Sequence, residues 1–179
     1  MITNKTVAFI RGINVGGHKK FPKADQLQMM EDLGFNNVQV YLHTGNWVFA
    51  TETDAHTISK NISEAILAKY GWEVPVLVLE ASELKHIFEA CPFSEESIEE
   101  SYFTLLEEKP TLERIGELKK YSYPNEEYHI MDTCIYFYPA MGAGKAKMTN
   151  NFFENKLKVT ATSRNYRTMV KLLAMVESS

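Results

Sequence analysis

Cysteine is scarce in this sequence, which contains only Cys91 and Cys134 among its 179 residues. Two cysteines that lie far apart in the chain give neither a disulfide framework nor the close spacing of a zinc-binding motif. We therefore expect reduced, buried thiols and no metal site.

A long apolar run and an excess of positive charge are also lacking. No apolar stretch approaches the roughly 20 residues of a membrane span, and residues 1–5 lack the charged-then-apolar pattern of a secretory signal. We therefore expect a cytoplasmic protein with no membrane partner. The 19 basic and 23 acidic residues give a net charge of −4, which disfavours nucleic-acid binding over the whole surface and leaves only a local basic patch for it.

The apolar content of 45% suffices for an ordinary core in a chain of this length. The first half predicts the element order βαββαβ, with strands at 7–11, 38–42, 47–50 and 74–79 and helices at 22–34 and 54–71. This is the order of a ferredoxin-like unit, in which four antiparallel strands lie in the order 4-1-3-2. Pro75 cannot donate to a sheet ladder, which fits the edge position of the fourth strand.

The second half predicts the same order with weaker signals. Its strands lie at 102–106, 128–131, 134–138 and 159–161, and its helices at 110–120 and 150–157, before a last helix that starts near 162–165. The fold class is therefore α+β, with two tandem ferredoxin-like halves, antiparallel sheets and a C-terminal helix. The expected division is a first half at 1–80, a linking helix and acidic connector at 81–100, and a second half at 101–179.

Residues 11–20, the 11–20 loop, interrupt the first apolar strand with glycines, an amide and positive charge. Glycine lets the backbone take φ > 0 and approach a ligand, and the donors around it suit an anion. The turn at 43–46 should lie beside this loop, because the first and second strands point the same way. We predict a ligand site here, whereas in the alternative interpretation the glycines only shape turns. The predicted ligand-binding residues are Arg11, Asn14, Gly16, Gly17, Lys19 and Asn46.

A second polar cluster is predicted at one end of the second sheet. It combines a lysine-bearing glycine segment with a predicted helix start, where exposed amides and the helix dipole favour an anion. In the alternative interpretation Thr162 or Ser163 only caps the helix and the lysines are solvated. Neither cluster fits a P-loop or a G-x-G-x-x-G fingerprint. The predicted ligand-binding residues are Lys145, Lys147, Ser163, Arg164 and Asn165.

Catalytic chemistry is not indicated by any residue pattern. His18 and His43 are candidate general bases or metal ligands, but no carboxylate or cysteine clusters with them in the sequence. Phe9, Trp47 and Phe49 on the central strands resemble the base-stacking aromatics of RNA-recognition modules, although core packing explains them better. No catalytic residue or cofactor is assigned.

Three stretches together resemble the bacterial domain-of-unknown-function 1697 family: Ala8 to Gly17, Leu33 to Phe35 and Tyr41 to Phe49. The segments 144–147 and 162–172 are similar to the second signature of that family. Departures are mild, since Thr44 and Trp47 stand where the family often has serine and valine, and Tyr166 where it often has tryptophan. The resemblance implies a tandem ferredoxin-like fold and no established function.

Our leading hypothesis is a protein that binds a phosphorylated small molecule or nucleotide, with both polar clusters facing one shared groove. A second hypothesis is a module for RNA or single-stranded DNA, which would depend on basic residues of both clusters. A third is a structural or partner-binding protein without a ligand. The residues of the second hypothesis are Arg11, Lys19, Lys20, Lys145 and Arg164.

Overall fold

The computed structural model describes residues 4–178. The chain divides into two compact units, of which the first comprises Met1–His86 with Lys171–Ser179 and the second comprises Ile87–Val170. Among the described residues, no helix has the length and apolar character needed to cross a membrane.

The first unit holds one four-stranded antiparallel sheet with the order β2-β3-β1-β4, which confirms the predicted order 4-1-3-2. β4 lies at an edge and pairs only with β1, and Pro75 immediately precedes it. The proline therefore removes no donor from the ladder. The elements are β1 (Asn4–Ile10), α1 (Lys23–Asp32), β2 (Asn36–Val40), β3 (Asn46–Thr51), α2 (Ala55–Tyr70), β4 (Val76–Glu80) and α3 (Ala81–Glu89), of which α3 belongs to the second unit from Ile87 onward.

Helix α2 begins and ends where the local sequence predicts. The Asp54 carboxylate accepts a 2.9 Å hydrogen bond from the amide of Thr57, and bonds from the Thr57 hydroxyl and amide lower the pKa of Asp54. Gly71 ends the helix with a left-handed φ of 71°. Three isoleucines one helical turn apart, Ile58, Ile62 and Ile66, form its buried stripe.

The aromatic side chains of the central strands are buried, and those of Trp47 and Phe49 belong to the core of the first unit. Phe9 and Trp47 are 0% exposed and Phe49 is 1% exposed, so none of them presents a face to solvent. Phe49 stacks on Phe35 at 4.2 Å between ring centroids. Core packing is therefore confirmed as their role, and they offer no platform on which a nucleic-acid base could stack.

The second unit repeats the topology, since its sheet has the order β6-β7-β5-β8 and all its pairings are antiparallel. The predicted strand at 159–161 is wrong in its bounds: residues 161–165 form the strand, and the last helix starts at Tyr166. The elements are α4 (Glu95–Ile98), β5 (Tyr102–Leu106), α5 (Leu112–Leu118), β6 (Glu126–Met131), β7 (Cys134–Pro139), a short 3-10 helix (Ala143–Lys145), α6 (Asn150–Leu157), β8 (Ala161–Asn165) and α7 (Tyr166–Glu177), of which α7 belongs to the first unit from Lys171 onward.

We predict that Gly45→Ala destabilises the first unit by about 2–4 kcal/mol, because backbone strain at a positive φ and a steric clash combine at this position. Gly45 has φ +97°, and a Cβ on it would overlap the carbonyl oxygen of Ile10. Gly34→Ala is the matched control, because Gly34 has φ +80° with open space around the position of a Cβ. It should cost only about 1 kcal/mol. Urea unfolding of both variants measures the difference, and equal losses of stability would contradict the steric argument.

Candidate functional site

The 11–20 loop leaves β1 with an unusual backbone. φ is positive at Gly12, Asn14 and Gly16 and negative at the residues between them, and it is positive again at Gly17 and Lys19. Two internal bonds close the loop, from Asn14 N to Lys19 O at 3.1 Å and from His18 N to Val15 O at 3.0 Å. Where right- and left-handed residues alternate, successive amides turn toward one side and form a concavity suited to an anion. The sign of φ alternates in this way from Gly12 to Gly16.

The side chain of Asn14 holds the loop in place. Its nitrogen donates to the carbonyls of Phe21 and His43, and its oxygen accepts a 2.8 Å bond from the amide of Phe21. These bonds confirm that the 11–20 loop and the turn at 43–46 are neighbours. Asn14 was predicted to bind ligand; the structure shows that both hydrogens of its amide nitrogen are used within the protein.

Gln26 is a functional residue of this region that the sequence interpretation missed. It is fully buried in α1, donates to Phe21 O at 2.8 Å and His43 O at 3.0 Å, and accepts a 2.7 Å bond from the indole nitrogen of Trp47. A signal was present, since Gln26 lies three and four residues before the buried Met29 and Met30, on the same helix face. A polar residue on an apolar face needs a buried partner.

Asn46, another predicted ligand-binding residue, is only 1% exposed. Its side-chain nitrogen donates to Tyr41 O at 3.0 Å, and its backbone oxygen accepts from Tyr41 N at 3.0 Å. The adjacent Gly45 accepts a 2.8 Å bond from the amide of Ile10. The structure therefore gives Asn46 the role of closing the β2–β3 turn against the end of β1.

The outer surface of the 11–20 loop is positively charged. Lys20 is exposed, Arg11 and Lys19 are partly exposed, and the Lys19 ammonium lies 3.4 Å from the carbonyl of Glu73. Neither 11–24 nor 33–51 contains an Asp or Glu. Within residues 4–178 the amides of Gly16 and Gly17 donate to no other group. This end of the first unit therefore combines unused amides with cations.

The second predicted cluster already contains an anion of its own. The two carboxylate oxygens of Glu126 accept bonds of 2.7 and 2.8 Å from the amides of Lys147 and Met148. A cavity of about 240 Å³ lies beside them, and Glu126, Lys145 and Lys147 all line it. Two backbone donors beside the predicted ligand-binding lysines are thus occupied by a carboxylate from β6.

Ser163, Arg164 and Asn165 do not meet at a helix start, because β8 carries them and its side chains alternate between the two sheet faces. Arg164 bonds to Thr162 Oγ1 at 2.8 Å, and burial lowers the pKa of its guanidinium to about 10, so it stays protonated at neutral pH. Ser163 lies within 2.7 Å of Thr104 Oγ1 on the other face. Asn165 accepts a 2.9 Å bond from the amide of Thr168 and so caps α7.

Nucleophilic and metal chemistry find little support in the described residues. Between residues 4 and 178, no three His, Cys, Asp or Glu side chains lie close enough together to hold a metal ion. Burial raises the pKa of the Cys91 and Cys134 thiols, which disfavours the thiolate form that attacks electrophiles. His18 and His43 are exposed, and the backbone carbonyl of His43, not its ring, is what the buried amides contact.

Comparisons with known proteins agree with this fold. A sequence model of the family described as "Protein of unknown function (DUF1697)" matches residues 3–136. The solved structure of the conserved bacterial protein SP0830 from Streptococcus pneumoniae matches with a TM-score of 0.80 at 18% identity, over 98% of this chain and 99% of that chain. At that identity the likeness concerns the fold alone. No functionally curated protein matches the chain.

We predict that Glu126→Gln loosens the segment 142–149. A glutamine offers one acceptor oxygen to two amides and turns an NH₂ group toward the other, so one amide loses its partner at a cost of about 1–3 kcal/mol. Hydrogen exchange at Lys147 and Met148 should accelerate at least fivefold. Glu127→Gln is the matched control, because Glu127 bonds only to His129 at the surface. Unchanged exchange in Glu126→Gln would show that Glu126 does not hold the segment.

Proposed function

We propose that this chain, which belongs to the DUF1697 family of proteins of unknown function, binds the phosphate group of a small phosphorylated molecule or nucleotide at its 11–20 loop. The adjacent amides of Gly16 and Gly17 carry this proposal. Both residues are exposed and have positive φ, and neither amide donates to another group within residues 4–178. Exposed consecutive amides in such a loop are suited to the oxygens of a phosphate.

The charge around the two amides supports the same ligand class. Arg11, Lys19 and Lys20 flank them, while no carboxylate occurs from residue 11 to residue 24 in a chain whose net charge is −4. Hydrogen bonds from amides and cations to a phosphate are charge-assisted, and they are stronger than those between neutral groups. A neutral ligand would use the amides but gain nothing from the cations.

The fixed shape of the loop lowers the cost of binding. Asn14 fastens the middle of the loop to the start of α1 and to the turn at 43–46, and the bond from Asn14 N to Lys19 O closes its base. A loop that is already ordered loses little conformational entropy when a ligand arrives. Binding energy from only a few polar contacts can therefore appear as measurable affinity.

The second cluster is a weaker candidate for the same ligand. Its segment 142–149 receives the Glu126 carboxylate on two amides, and a phosphate beside that carboxylate would be repelled. Lys145, Lys147 and Arg164 stay predictions from the sequence, as does the shared groove. We therefore base the proposed function on the 11–20 loop alone.

We predict that AMP and ribose 5-phosphate bind the protein saturably at low salt and raise its melting temperature, whereas adenosine and ribose do not. Lys20→Gln should weaken binding about fivefold, since one cation at a wet surface contributes on the order of 1 kcal/mol. Calorimetric titration measures the affinities of the unmodified protein and of Lys20→Gln, and a thermal-unfolding scan measures the melting temperature.

Lys60→Gln is the matched control, because Lys60 is also exposed but pairs with Glu64 on α2. It should leave the affinity unchanged. The proposal fails if neither phosphorylated compound binds, or if Lys20→Gln and Lys60→Gln behave alike. Tight binding of a single-stranded RNA 12-mer that weakens steeply with salt, without binding of AMP, would indicate the nucleic-acid hypothesis instead.

A further inference from the structure

A second cavity in the Ile87–Val170 unit lies between its sheet and α6. Its volume is about 170 Å³, and every residue that lines it belongs to this unit. Its apolar lining includes Phe137, Phe153 and Met148. Its polar lining includes Thr104, Ser163 and Asn150. This cavity is independent of the 11–20 loop and of the function proposed for that loop.

The polar lining residues are joined by a chain of hydrogen bonds. Thr104 and Ser163 are opposite each other on β5 and β8, with their hydroxyl oxygens 2.7 Å apart. Ser163 donates to Asn150 Oδ1 at 3.0 Å, and Asn150 Nδ2 donates to Ala161 O at 3.1 Å. Because Ser163 donates to Asn150, the Thr104 hydroxyl is the donor to Ser163. Two hydroxyls on a sheet face that otherwise packs as core, and the amide of Asn150 on α6, are therefore fixed in orientation.

Asn150 retains unused capacity for hydrogen bonds. A side-chain amide has two N–H donors and two acceptor lone pairs, and the bonds to Ala161 O and from Ser163 use one of each. One donor and one acceptor are therefore left over on a residue that lines the cavity. A ligand that carries both a donor and an acceptor can use them, as nucleobase edges do with asparagine.

The volume limits the size of the ligand. An apolar cavity of roughly 150 Å³ accommodates a benzene molecule, so about 170 Å³ accommodates one six-membered ring with small substituents. No Lys, Arg, Asp or Glu lines this cavity. Burial of a charged ligand against Phe137 and Phe153 without a counter-charge would be costly, and this favours an uncharged ligand.

We propose that this cavity is a binding site for a small uncharged ring that carries a cyclic amide edge, such as a pyrimidine base. The ring lies against Phe137, Phe153 and Met148, and its amide edge pairs with Asn150 within the hydrogen-bond chain of Thr104 and Ser163. The ligand class follows from the size of the cavity, from its lack of charge and from the unused donor and acceptor.

The test uses 2-pyridone, a six-membered ring with an amide edge, with benzene and N-methyl-2-pyridone as matched probes. Titration of the full-length protein followed by ¹⁵N NMR should give saturable shifts at Ala143, Asn150 and Ser163. 2-Pyridone should bind about tenfold more tightly than its N-methyl derivative, which has lost the donor. Ser163→Ala should weaken 2-pyridone about fivefold and leave benzene unchanged.

Thr162→Val is the control variant, because Thr162 lies on the same strand but bonds to Arg164 on the opposite sheet face. Ala146→Leu fills the cavity and should abolish binding of every probe, with a preserved NMR spectrum elsewhere as evidence that the fold is intact. Equal affinity of the unmodified protein for benzene and 2-pyridone would overturn the proposed ligand class. Unaltered binding in Ala146→Leu, or no saturable shift with any probe, would overturn the site itself.

Discussion

The carbonyl groups of Phe21 and His43 lie where two loops leave the same end of the first sheet, and the side chains of Asn14 and Gln26 donate to both of them. A buried carbonyl without a donor costs about 1–3 kcal/mol, so these two amides largely decide how the loops sit. Gln26 in turn accepts from the indole of Trp47, which ties the loops to the core. The position of Gly16 and Gly17 depends on this network.

The two units solve the same structural problem by different chemistry. Both have the topology 2-3-1-4, and each needs to fasten a glycine-containing segment beside its sheet. In the first unit neutral side-chain amides perform this role and bring no charge of their own to the segment. In the second unit the carboxylate of Glu126 performs it and neutralises part of the local positive charge. This difference is why the proposed anion site is placed in the first unit.

The sequence predicts those features that depend on neighbouring residues. Asp54 and Gly71 bound α2 because capping is local, and Pro75 marks β4 as an edge strand because a proline lacks the donor. The strand Ala161–Asn165 was misplaced because its sequence, with Ser163 and Arg164, has no β signal. Its bounds are set by its pairing with β5. In that pairing Thr104 lies opposite Ser163, which follows it by 59 residues, and their hydroxyl oxygens are 2.7 Å apart.

The location of the candidate site could be predicted from the sequence, but the roles of its residues could not. Glycines and cations at a strand end mark the 11–20 loop, and topology brings the turn at 43–46 beside it. Asn14 and Gln26 both donate to the carbonyls of Phe21 and His43. These roles depend on the directions in which the two carbonyls point. Backbone directions of this kind follow from tertiary packing, which residue spacing does not encode.

The central claim is that the amides of Gly16 and Gly17 form a prepared anion site, and NMR of the ¹⁵N-labelled protein tests it most directly. Titration with inorganic phosphate, against sodium chloride at equal ionic strength, should shift these two amides saturably. Gly34 and Gly71 serve as internal references, because they also have positive φ but lie at helix ends. Phosphate shifts confined to Gly16, Gly17 and their neighbours support the claim. Shifts that are absent at Gly16 and Gly17, or that sodium chloride reproduces, would contradict it.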